Sequence, residues 1–166
     1  MKKISLPHPE LVQALLKQIK ITARVNHSLD KNTGISYEIY SYSGPNDPVA
    51  FYNESGNIYV TETLHRTFPQ YADLVAYHET EEIKFKRGGN AHGEAHVKAW
   101  LSELSLVNKI YSTETELKNY IDWRISIYSQ GKIPHKEVVA KQLMVLLLKN
   151  PHPSLEISEF IKNNGL

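Results

Sequence analysis

An α+β fold is what the sequence predicts, and three observations predict it. An apolar stripe at helical spacing lies near the N-terminus, three short alternating or β-branched runs fall between residues 35 and 64, and the helical period returns from residue 70 onward. The expected order is an N-terminal helix, a small antiparallel three-stranded sheet and a mostly helical C-terminal half. With 166 residues the chain fits a single domain, residues 1–166, and can bury a sizeable core without staples.

The first helix is expected to start near Pro9, because proline fits the first helical turn, where its missing N–H is not needed. Leu11, Val12, Leu15, Leu16 and Ile19 then form its apolar stripe. Ile35, Tyr37 and Ile39 alternate with Ser36, Glu38, Tyr40 and Tyr42, as the two faces of a strand do. Gly44-Pro45-Asn46-Asp47-Pro48 marks a turn, and Val49–Tyr52 follows as a short strand. Asn53–Asn57 marks a second turn, and Ile58–Leu64 reads as a third strand, β-branched and aromatic. Short connections make these three strands an antiparallel meander. A helix is expected from Gln70 to Phe85, with a basic last turn and glycines at 88 and 89. The next runs from about Ala91 to Lys109, with Asn90 as its cap. Thr113-Glu114-Thr115-Glu116 holds a capping box for a helix to about Gln130, and further helices are expected near 135–149 and 154–163.

Composition narrows the function. A net charge of +1 argues against a general nucleic-acid binder, which carries a basic excess. The absence of cysteine excludes disulfides, thiolate zinc sites and cysteine nucleophiles. Any metal must be held by His, Asp, Glu or water. The longest apolar run, Leu143–Leu148, is too short to span a bilayer, and the basic N-terminus lacks the apolar run of a signal peptide, so a cytoplasmic protein without membrane contact is expected. Phosphate-loop and dinucleotide glycine patterns and a Gly-x-Ser-x-Gly elbow are missing from the sequence.

One constellation carries chemistry. On the helix from Gln70, the apolar face of Tyr71, Leu74, Val75 and Phe85 is interrupted by His78 and Glu82. Four residues advance a helix by about 40° beyond a full turn, so this pair can converge on one point. The following helix repeats the pattern: among His92, Ala99, Trp100 and Val107 it carries His96 and Glu103, seven residues apart and on one side. A glycine turn joins the helices, so they are expected to be neighbours with their polar stripes facing. Buried imidazoles and carboxylates become tolerable when a divalent cation holds them together. His78, Glu82 and His96 would supply a His₂Glu zinc set, which leaves one position for water. Glu79 would be the general base, and Glu103 would orient a ligand imidazole or act as a fourth ligand. His92 and His96, at i and i+4, form a rival pair. The bland alternative is a buried His–Glu hydrogen-bond network that fixes the register of the helix pair.

The order strand, loop, helix bearing His78-Glu79-Thr80-Glu81-Glu82, then a second helix with another ligand resembles a minimal zincin metallopeptidase. The resemblance covers roughly residues 35–107, with residues 113–166 as a helical extension. His78 and Glu79 match the first ligand and the catalytic glutamate of the family's His-Glu-x-x-His motif, while Glu82 stands where the family has its second histidine. The resemblance implies a zinc-dependent hydrolase acting on a peptide or protein, docked along Ile58–Leu64 as an edge strand. The competing expectation is a non-catalytic protein that keeps the frame and works by binding a partner.

Overall fold

The structure is a computed structural model. It describes residues 3–44, 48–111, 113, 115–116, 119–120 and 122–124. The helices expected near 135–149 and 154–163 lie outside the described residues, as does the stop expected at Gly131.

The chain begins with α1 (Pro9–Gln18), which has proline in its first turn. β1 (Lys20–Ser28) follows, then β2 (Gly34–Ser41), β3 (Ala50–Tyr52) and β4 (Ile58–Thr61). The remaining described helices are α2 (Glu62–Thr67), α3 (Pro69–Arg87) and α4 (His92–Ile110). This is α+β, as the sequence predicts, but the sheet is not a three-stranded antiparallel meander. It has four strands in the order β1-β2-β4-β3. β1 pairs antiparallel with β2 and β3 with β4, while β2 and β4 run parallel through Glu38↔Tyr59, Ile39↔Val60 and Tyr40↔Thr61.

Two further expectations are corrected. The strand at Ile58 ends at Thr61, and Glu62–Leu64 already belong to α2, whose Leu64 is buried. β4 is also not an edge, because β2 and β3 flank it and take up its backbone hydrogen-bonding groups on both sides.

The alternation in β2 has the expected consequence. Ile35, Tyr37 and Ile39 are buried on one side, while Tyr40 joins Phe51 and Tyr59 in a cluster on the other. Val12, Leu15, Leu16 and Ile19 from α1 and its C-cap pack on that cluster. Leu11, placed in the same stripe by spacing, instead points to solvent at 62% exposure. α3 presents Tyr71, Ala72, Leu74, Val75, Ala76 and Ile83 as buried residues, and its polar groups reach the sheet at two places. Near its start, Asp73 accepts hydrogen bonds from Tyr37 Oη on β2 (2.7 Å) and from His27 Nε2 on β1 (2.8 Å). Further along, Glu82 accepts one from Tyr52 on β3. The helix therefore crosses strands from β1 and β2 towards β3.

Two tight turns need glycine. Gly56, with φ of 86°, closes the β3–β4 hairpin, where Asn53 Oδ1 accepts from the backbone N–H groups of Ser55 and Asn57 at 3.0 Å each. Gly89, with φ of 98°, ends the α3–α4 connection, and the N–H groups of Gly88, Gly89 and Asn90 satisfy the last carbonyls of α3.

The chain divides into two compact units, Met1–Ala99 and Trp100–Leu166, with the division inside α4. The first unit thus includes α1 and β1, which precede the expected core of residues 35–107. In the second, Thr113 and Glu116 make the reciprocal bonds of a capping box, each backbone N–H donating to the other's side chain at 3.2 Å. Among the described residues no helix is long and apolar enough to cross a membrane.

Candidate metal centre

α3 and the first turns of α4 bring His78, Glu82 and His96 together. His78 and Glu82 are each 3% exposed, and their ligand atoms and that of His96 all lie within 4.8 Å of one another. His96 Nδ1 donates to Glu82 Oε2 at 2.9 Å. His78 Nε2 lies 3.3 Å from His96 Nδ1 and 3.7 Å from Glu82 Oε2. The His78 and His96 rings meet edge to face, with centroids 4.8 Å apart.

These separations have the dimensions of a coordination sphere. Three donors at 2.0–2.1 Å from a tetrahedral ion lie about 3.3 Å apart. The triangle of 2.9, 3.3 and 3.7 Å brackets that value, and its corners are equidistant, at about 1.9 Å, from a point between them. Two nitrogens and one oxygen are a donor set that suits zinc.

The electrostatics favour the ligand protonation states. Burial by itself would raise the Glu82 pKa; the imidazoles of His78, His92 and His96 gathered around the carboxyl outweigh it and hold it well below its ordinary range. Burial pushes the His96 pKa down, and the neighbouring His78 and His92 add to this against the opposing pull of Glu82. A carboxylate facing a neutral imidazole is the form a cation requires. Tyr52 Oη donates to Glu82 Oε1 at 2.8 Å, which fixes one oxygen and leaves Oε2 directed at His78 and His96. Burial and then the Glu82 charge raise the Tyr52 pKa, so the phenol keeps the proton it donates.

Glu79 is half-buried and lies one residue beyond His78 on α3. Its negative charge is near enough to raise the pKa of Tyr52 and to oppose the lowering of that of Lys86.

Glu103, expected as a fourth ligand or as a group orienting an imidazole, has other partners. It is fully buried in the second unit, where Arg124 Nη2 donates to both of its oxygens at 2.6 and 2.7 Å and Nε adds a 3.0 Å bond. The Tyr120 hydroxyl also donates to it. The physical reason for the correction is the guanidinium fork, which matches both carboxylate oxygens at once. Trp100 and Trp123 lie against the same guanidinium, at 4.4 and 5.2 Å.

Sequence reasoning missed a second polar cluster. His27 bonds Asp73, and His65 Nδ1 lies 3.2 Å from the Tyr37 hydroxyl that donates to the same Asp73. His65 therefore belongs to this cluster. The available signal was the alternation of Ile21, Ala23 and Val25, which marks β1 and brings His27 onto the sheet.

No protein-family model, curated protein or solved structure matches this chain.

Proposed function

We propose that the chain is a zincin-like, zinc-dependent hydrolase acting on peptides, with His78, Glu82 and His96 as ligands and Glu79 as general base. The observation that carries this reading is the donor triangle: two buried residues and a half-buried one, from consecutive helices, with the edge lengths of a tetrahedral site. Zinc held there supplies Lewis acidity and a polarised water. Glu79 would accept a proton on its carboxylate, and Tyr52 keeps Glu82 oriented through Oε1.

One observation favours a second reading, a non-catalytic protein that uses the same frame to bind a partner. The strand expected to dock an extended peptide, Ile58–Thr61, is paired on both sides. A zinc titration, run beside a peptide-library cleavage assay, tests both. Wild type is expected to bind one zinc, and His78→Ala and His96→Ala to lose it. Equal zinc affinity in all three proteins would sink the site. Zinc binding without cleavage would favour the second reading.

A further inference from the structure

We propose that His92 is a displaceable fourth donor to this site, so that the loaded centre rests with three imidazoles and one carboxylate and opens when His92 leaves. The inference rests on the metal reading above and goes beyond it by assigning a resting state and a gate.

The starting observation is an unsatisfied atom. His92 Nδ1 is buried and makes no hydrogen bond among the described residues. It nevertheless lies 3.1 Å from Glu82 Oε1, out of line for a hydrogen bond to that oxygen. A buried imidazole nitrogen without a hydrogen bond is unfavourable, and such atoms call for a specific explanation. Here the atom stands beside the three-donor cluster and outside it, on the Oε1 side of Glu82, so that joining the cluster takes a turn of the ring. Glu82 therefore has imidazole nitrogen near both oxygens, His96 at Oε2 and His92 at Oε1. His92 and His96 are also one turn apart on α4, with ring centroids 6.1 Å apart.

Position makes His92 the ligand that can leave. His78 and Glu82 sit in the interior of α3, and their side chains are 4% and 3% exposed. His92 is the first residue of α4, follows the Gly88–Gly89 turn, and has a side chain 31% exposed. Its imidazole can turn outward without opening the core, whereas loss of His78 or Glu82 from the site would disrupt α3. With three nitrogens and one oxygen bound, no position remains for water, and departure of His92 restores one.

The experiment uses the full chain, stripped with chelator and reloaded with cobalt(II), whose visible absorption reports coordination. Wild type is expected to give a four-coordinate spectrum that added imidazole or azide does not alter. His92→Ala and His92→Phe, the second keeping the ring's packing, are expected to bind cobalt or zinc about 10–100-fold more weakly. Their spectra should shift on adding imidazole or azide, and imidazole should return His92→Ala to the wild-type spectrum. Cobalt bound by all three proteins with equal affinity and identical spectra would overturn the fourth-donor role and leave the three-residue site intact. No cobalt bound by wild type would overturn both.

Discussion

The Tyr52 hydroxyl and the Glu82 carboxylate, 30 residues apart in the chain, are joined by a 2.8 Å hydrogen bond that ties β3 to α3 at the candidate metal centre. Replacing Tyr52 with Phe removes the donor and leaves Oε1 of a buried carboxylate short of a partner. Stability is expected to fall by about 1–3 kcal/mol, and zinc affinity by about 10–100-fold. Urea unfolding and a zinc titration check the two effects separately. No change in either would show that Glu82 is held by other groups.

Leu74 and Leu11 test the packing with one chemistry in two environments. Leu74 is fully buried under α3, and Leu11 is 62% exposed on α1. Leu74→Ala should lower stability by about 2–5 kcal/mol through the cavity it leaves. Leu11→Ala should stay within about 0.5 kcal/mol of wild type. Similar denaturant midpoints for the two variants would refute the orientation of one helix or the other.

Glu79→Gln separates binding from chemistry. The carboxylate belongs to no ligand group, so zinc affinity should be unchanged. Loss of a general base should slow hydrolysis by about 10²–10⁴-fold. Calorimetry gives the first number and a cleavage assay on a library-selected peptide the second. A variant that loses zinc would place Glu79 among the ligands.

Acid should destabilise the metal-free protein earlier than carboxylates alone would require. The unfolded chain protonates His96 near its ordinary value of 6.5, whereas the buried residue, beside His78 and His92, resists. The unfolded state then binds more protons, so stability is present above pH 6.5 and is lost as pH falls below it. Glu82 acts with the same sign lower down, because its folded pKa is depressed below the ordinary 4.5. A full proton difference gives a slope of about 1.4 kcal/mol per pH unit. Urea midpoints between pH 7.5 and 5 should show this slope for wild type and a flatter one for His96→Gln. Identical slopes would remove His96 as the source.

Much of the site is legible in the sequence because helices bring neighbours together by arithmetic. His78 and Glu82 share a face through a four-residue step, and a glycine turn returns His96 to them. Glu103 follows the same arithmetic and has other partners, because helical spacing shows which side a residue takes and not which charge will compete for it. Arg124 is 21 residues further on, and nothing local announces the pair. The sheet was harder to read for a related reason. β1 carries only the short alternation of Ile21, Ala23 and Val25 and is exposed along almost its whole length, and β4 joins β2 in a parallel pairing that adjacency in sequence does not suggest. The break at Thr61 is equally silent, since Glu62-Thr63-Leu64 suits a strand as well as a first helical turn.

The parallel β2–β4 pairing makes the sheet two local hairpins joined along a seam. β1 and β2 are consecutive and antiparallel, as are β3 and β4, so each pair closes a short loop and can form early. The seam has three residue pairs, and what holds it shut lies above and below it. α1 residues cover Tyr40 from one hairpin with Phe51 and Tyr59 from the other. On the opposite face α3 bonds Tyr37 of the first hairpin through Asp73 and Tyr52 of the second through Glu82. The Tyr52–Glu82 contact needs only the second hairpin and α3, whereas the Tyr37–Asp73 contact needs the first, so α3 fastens each hairpin through its own carboxylate. The donors themselves stand on α3 and α4, so a metal bound there would brace the clasp that spans the seam without touching a strand.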